Sequence, residues 1–175
     1  MDSNPLDPIW KAYEVSIESF EIVQEVIKQQ KAHSFTGSNW ANQSNARQDV
    51  VATIKEIEAL FVFSLWAAFE RFIITYLQDK GAVLQQHVVP SNLASPFYEL
   101  VKKEIEFWKT DDMLDLLNKI PAIDKNLIGQ TKAILCYRNW IAHGKDTQKA
   151  AFVNVMTPVY SHRILDEIIN ILLLN

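Results

Sequence analysis

From Ala59 to Phe69 the chain reads Ala-Leu-Phe-Val-Phe-Ser-Leu-Trp-Ala-Ala-Phe, with no charge and no Gly or Pro. A helix that is apolar on every face must be buried, so this run is expected to be the centre of the fold. The helix carrying it is expected from about Asp49 to Asp79, with Gly81 ending it. The rival reading is a membrane span. Glu70 and Arg71 interrupt the apolar stretch, and each costs roughly 2.5–3.5 kcal/mol near mid-bilayer. A soluble, packed core helix with no membrane partner is the expectation. Only four Gly and six Pro in 175 residues leave little punctuation for a many-stranded fold. The chain should be all-α: an up-and-down helical bundle of about five to six helices around a long central buried helix. Its length suits one domain, 1–175, with a real core.

The other helices are read from their stripes and their caps. Asp7 as N-cap and Pro8 at N1 start a first helix, with Ile9, Tyr13, Ile17, Phe20, Val23 and Ile27 on one side to about Lys31. A polar loop, 33–48, follows. Trp40 within it either pins the loop to the core or offers a face for stacking, and pinning is preferred. His33 has no ligand partner at helical spacing and reads as solvated. Gln85 to Ser95 is a connector. Ser95-Pro96 then opens a helix bearing Phe97, Leu100, Val101, Ile105 and Trp108. Thr110-Asp111-Asp112 starts a short helix, Met113 to Asn118. Its carboxylates suit a helix N-terminus better than a metal site. After Pro121, a helix from Asp124 to about His143 is expected. Segment 151–156 reads as a short strand or an extended arm. Thr157-Pro158 opens the last helix, with His162 and Arg163 facing either the site or water, and water preferred.

One stretch concentrates polar chemistry: Arg138-Asn139-Trp140-Ile141-Ala142-His143-Gly144, after apolar Ile134-Leu135-Cys136-Tyr137. Gly144 stands where a C′ glycine ends a helix, which places His143 in the last turn. Asn139 and His143, four apart, share a face, while Arg138 points roughly 140° away from His143. A histidine exchanges protons near neutral pH, and an arginine beside it forks onto a phosphate. Glu70 admits two readings. It sits in an ion pair or an exposed turn, or it faces the motif helix and orients Arg138 or His143. Lys125, Lys132, Arg138, Lys145 and Lys149 make residues 125–149 locally positive, either as a site or as an ordinary solvated face. Cys136, the only cysteine, reads as a core residue and excludes a disulfide or a CxxC pair.

Arg138-Asn139-Trp140-Ile141-Ala142-His143 resembles the R-x4-6-H motif of HEPN domains, in which a polar residue, often Asn, follows the Arg. The resemblance implies an all-α bundle that dimerises with two motif helices meeting at the interface. It also implies a metal-independent endoribonuclease of the kind found in toxin–antitoxin, abortive-infection and CRISPR-associated systems. On that basis the site residues are Arg138, Asn139, His143 and Glu70, the substrate is RNA, the assembly is a homodimer, and an antitoxin protein is a candidate partner. Some HEPN domains are non-catalytic and bind nucleotides or partners. That alternative, and a purely structural dimerisation bundle, are the competing readings.

The remaining sequence narrows the chemistry. There is no E-x-x-H, H-E-x-x-H, P-loop, G-x-G-x-x-G or G-x-S-x-G. No cofactor and no metal is therefore expected. A net charge of −4 argues against sequence-blind coating of nucleic acid but permits a local site. The first residues lack a basic n-region and an apolar h-region, so a cytoplasmic location is expected.

Overall fold

The apolar run at 59–69 forms the middle of a 39-residue helix, Ala46–Leu84. This computed structural model describes residues 3–29, 36–37, 45–146 and 156–174. Within them lie six α-helices: α1 (Asp7–Lys28), α2 (Ala46–Leu84), α3 (Ala94–Ile105), α4 (Thr110–Leu117), α5 (Lys125–Ala142) and α6 (Pro158–Leu174). Single 3-10 turns at Gln85–His87 and Ser91–Leu93 join α2 to α3. No strand occurs among the described residues. Trp40, His33, Lys149 and most of the segments 33–48 and 151–156 lie outside them.

The bundle runs up and down around α2, which packs against α1, α3, α5 and α6. Three sets of contacts fix direction. Arg71 of α2 meets Glu106 just after α3, while Gly81 lies beside Tyr98, so α2 and α3 are antiparallel. Glu70 meets Arg138 and Glu56 meets Lys145, so α5 also opposes α2. Asn4, just before α1, and Trp10 on it reach Asp166 and His162 of α6, again in opposite order. Val62, Leu65, Trp66 and Phe69 have no exposed surface, and they join Leu6, Leu117, Ile134 and Leu165 in one core. The run is not covered on every side, however. Leu60 is 58% exposed, and Ser64 and Ala67 beside it face outward. Four neighbours leave one strip of this long helix uncovered.

Several helix boundaries differ from the sequence reading for identifiable reasons. α2 begins at Ala46 rather than Asp49, since Ala46 and Val50 are buried one turn apart. It also continues through Gly81 to Leu84. A glycine costs a helix about 1 kcal/mol, which packing against α3 offsets here. α1 takes Asp7 as its first residue instead of its cap, and Leu6, fully buried, holds the N-cap place. Asn4 Oδ1 accepts from the Leu6 N–H to shape that turn. The first helix stops at Lys28, short of Lys31. α3 starts one residue before Ser95, and neither Ser95 nor Leu93 supplies a side-chain cap.

Two expectations about individual side chains are reversed. Cys136 is exposed, because buried Leu135 and Tyr137 on either side turn it outward. His162 faces α1 rather than water: its ring stacks on Trp10 with centroids 4.2 Å apart, and its Nε2 is buried without a hydrogen bond. Arg163, next to it, is exposed and lies over Tyr160.

Burial pushes the His162 imidazole below its usual 6.5, against the opposing pull of Asp166, Asp7 and Glu14. A depressed histidine stabilises the fold above its unfolded pKa and loses that contribution as pH falls through it. Urea unfolding at a series of pH values should show stability dropping as pH falls below about 6.5, before most carboxylates titrate. His162→Phe should flatten that slope. An unchanged slope in the variant would remove His162 as its source.

Candidate active site at the end of α5

The C-terminal end of α5 is defined by its backbone. Asp124 caps the other end, accepting from the Asn126 N–H at 2.6 Å. At the site, His143 is the C-cap and Gly144 has φ +81°. The Gly144 N–H donates to Ile141 O at 3.1 Å and the Lys145 N–H to Trp140 O at 2.9 Å. That pair of bonds is the Schellman closure, and it needs a left-handed residue at the glycine. Trp140 locks the following turn. Its Nε1–H donates to Asp146 O at 2.7 Å, and its ring stacks on Tyr137. Burial, with Glu58 and Glu56 nearby, raises the pKa of the Tyr137 phenol.

Arg138, Asn139 and Glu70 come together. Arg138 Nη1 donates to Asn139 Oδ1 at 3.0 Å, and Nη2 lies 3.7 Å from Glu70 Oε2. The guanidinium also sits over the Phe63 ring, 5.2 Å from its centroid. Both charged side chains are about a quarter exposed, at 27% and 24%. An ion pair at this depth loses much of its attraction to desolvation, so its main effect is to aim the guanidinium. Glu70 is itself held, accepting from the Thr110 hydroxyl at the start of α4. Two contributors were missed in the sequence. Phe63 carried a signal, lying two helical turns before Glu70 on the same face of α2. Thr110 carried none, because its distance from Glu70 is set by the packing of α4.

His143 is not part of that cluster. It is exposed at the helix tip, and its side chain has no hydrogen bond or ion pair among the described residues. Within one chain, then, the guanidinium is anchored and the imidazole is open to solvent at the same end of α5. Asn139 connects them through the backbone, its carbonyl accepting from the His143 N–H at 3.0 Å.

Among the described residues, three of the four positive charges of this segment are paired, and Lys125 is exposed. Lys132 pairs with Asp115 at 2.7 Å and Asp111 at 3.6 Å, which ties α4 to α5. Lys145 pairs with Glu56, as Arg138 does with Glu70. These lysines are structural bridges rather than a free basic patch. Behind the site, Arg71 forks onto Glu106 at 2.6 and 3.1 Å, and Gln78 Nε2 donates to the same carboxylate at 2.9 Å. Those bonds hold the Glu106 carboxyl below its usual range. No group of three or more His, Cys, Asp or Glu gathers at metal-binding distance among the described residues. No described helix is long and apolar enough to cross a membrane. Set against family models, curated proteins and solved structures, the chain matches none of them.

Proposed function

We propose that the chain is a metal-independent endoribonuclease of the HEPN type, acting as a homodimer in the cytoplasm as a toxin or defence component. The observation that carries this reading is the arrangement at the end of α5. An anchored guanidinium retains donors for a phosphate, and an unengaged imidazole stands exposed at the same helix tip. In the proposed reaction a base takes the proton of a ribose 2′-hydroxyl, and that oxygen attacks phosphorus. The bond from phosphorus to the 5′-oxygen breaks, and an acid protonates the leaving oxygen. The products are a 2′,3′-cyclic phosphate and a 5′-hydroxyl. His143 supplies the base or the acid. Arg138 binds the charged phosphoryl oxygens, and Asn139 and Glu70 position it. One imidazole per chain does not fill both proton-transfer roles at once, whereas a two-fold pair of α5 tips supplies two.

The test is a matched assay of wild type and Arg138→Ala on total RNA, with fragment ends mapped and EDTA present in parallel. Cyclic phosphate ends that persist in EDTA and vanish in the variant are expected. Cleavage that EDTA abolishes, or that Arg138→Ala retains, would count against the proposal. A second reading is favoured by one observation: in the single chain Glu70 and Asn139 already engage the guanidinium. A non-catalytic nucleotide- or partner-binding module would then bind nucleotide in calorimetry and leave RNA intact.

A further inference from the structure

Consecutive residues of α2, Glu70 and Arg71, each belong to an arginine–glutamate pair, and the two pairs are built differently. Arg71 forks onto Glu106 at 2.6 and 3.1 Å. Arg138 and Glu70 approach only to 3.7 Å and share no hydrogen bond among the described residues. The open pair is the less exposed of the two. Attraction between charges grows as water withdraws, so burial by itself favours a closed pair there. The difference lies in what else each carboxylate accepts. On Glu106, Gln78 donates to Oε1, an oxygen that Arg71 already uses. On Glu70, the Thr110 hydroxyl takes Oε1, and Arg138 faces the other oxygen, Oε2. Thr110 is the first residue of α4, and Lys132 of α5 ties that helix in place through Asp111 and Asp115. The guanidinium keeps most of its donors. Of its five N–H groups, Nη1 supplies one hydrogen bond, to Asn139, and Nε is buried with none.

We propose that Thr110 is a positioning residue for phosphate binding at the end of α5. By holding one oxygen of Glu70, its hydroxyl keeps that carboxylate from forking onto Arg138 and leaves the guanidinium open to a phosphoryl oxygen. This rests on the reading of Arg138 as a phosphate ligand, but not on RNA cleavage. Carboxylate and phosphate compete for the same fork of donors. Glu70 is tethered beside the guanidinium, so its effective concentration there is far above that of a free anion. A shift of about 1 Å brings the 3.7 Å approach to hydrogen-bond distance. Held apart by Thr110, Glu70 still aims the guanidinium by its charge. Released, it occupies the donors that a phosphate needs.

Inorganic phosphate titrated into the isotope-labelled full chain tests this, followed by NMR at the Arg138 Nε–H and the Asn139 side-chain amide. Wild type should respond at both groups, and Arg138→Ala should lose the Asn139 response. Thr110→Val, which removes only the hydroxyl donor, should bind phosphate about 10-fold more weakly. Thr110→Ser keeps the donor and should stay within about 2-fold of wild type. Glu70→Gln should still bind phosphate, because Asn139 and Phe63 hold the guanidinium and the competing charge is gone. In that background Thr110→Val should change binding by less than about 2-fold, since the two residues act through one contact. Thr110→Val that binds as wild type does, while Arg138→Ala loses binding, would overturn this proposal alone. So would an equal loss from Thr110→Val in the Glu70→Gln background, or loss of binding in Glu70→Gln itself. A wild type whose resonances ignore phosphate would overturn both this proposal and the phosphate reading of Arg138.

Discussion

His143→Ala should lower RNA cleavage by about 10²–10⁴-fold, the range that a positioned proton-transfer group contributes. The substitution is well suited to isolating chemistry from folding. His143 is exposed at the C-cap, and the Schellman bonds that end α5 are made by backbone groups of Trp140, Ile141, Gly144 and Lys145. Removing the imidazole should therefore leave the unfolding curve within about 0.5 kcal/mol of wild type. Arg138→Ala acts differently. In the proposed reaction it removes the group that binds the phosphate, and it strips Glu70 of its ion pair, so some loss of stability should accompany the loss of cleavage. Single-turnover assays beside urea melts separate the two. A His143→Ala protein that folds normally and still cuts at the wild-type rate would end the catalytic assignment.

Phe69→Ala should cost about 3–5 kcal/mol of folding stability. The side chain has no exposed surface and packs at 5.4 Å, centroid to centroid, from the Trp66 ring. Truncation there removes a ring from the middle of the core and leaves a cavity that four surrounding helices cannot close. Against a total of about 5–15 kcal/mol for a domain, that is a large fraction. Leu60→Ala is the control on the same helix. With 58% of Leu60 exposed, the change should stay within about 0.5 kcal/mol. Chemical denaturation of both variants checks the contrast. A Phe69→Ala cost below about 1 kcal/mol would mean that α2 is not the centre of the core.

These two experiments bear on neighbouring parts of one helix. Phe69 anchors α2 in the core, and Glu70, the next residue, reaches out to hold Arg138. Loosening α2 should therefore blunt the site even where no site residue is changed. Thr110 makes the same link from α4, through its hydroxyl on Glu70.

Much of this protein is written in local chemistry. The apolar run at 59–69 required a central helix, and the scarcity of Gly and Pro required its neighbours to be helices too. Asp124 and Gly144 marked the two ends of α5 because caps depend on a few adjacent backbone groups, which the chain specifies directly. The polar residues at 138, 139 and 143 were visible for the same reason, but packing joined Arg138 and Asn139 to Glu70 and left His143 apart. What the sequence left open is which side of each helix meets another. Tertiary packing alone turned Cys136 outward and His162 inward, carried α2 past Gly81, and matched Lys132 and Lys145 to carboxylates far away in sequence. Periodicity gives the angle between side chains on one helix. The direction in which that helix faces is settled only when the apolar surfaces of all six compete for the same interior.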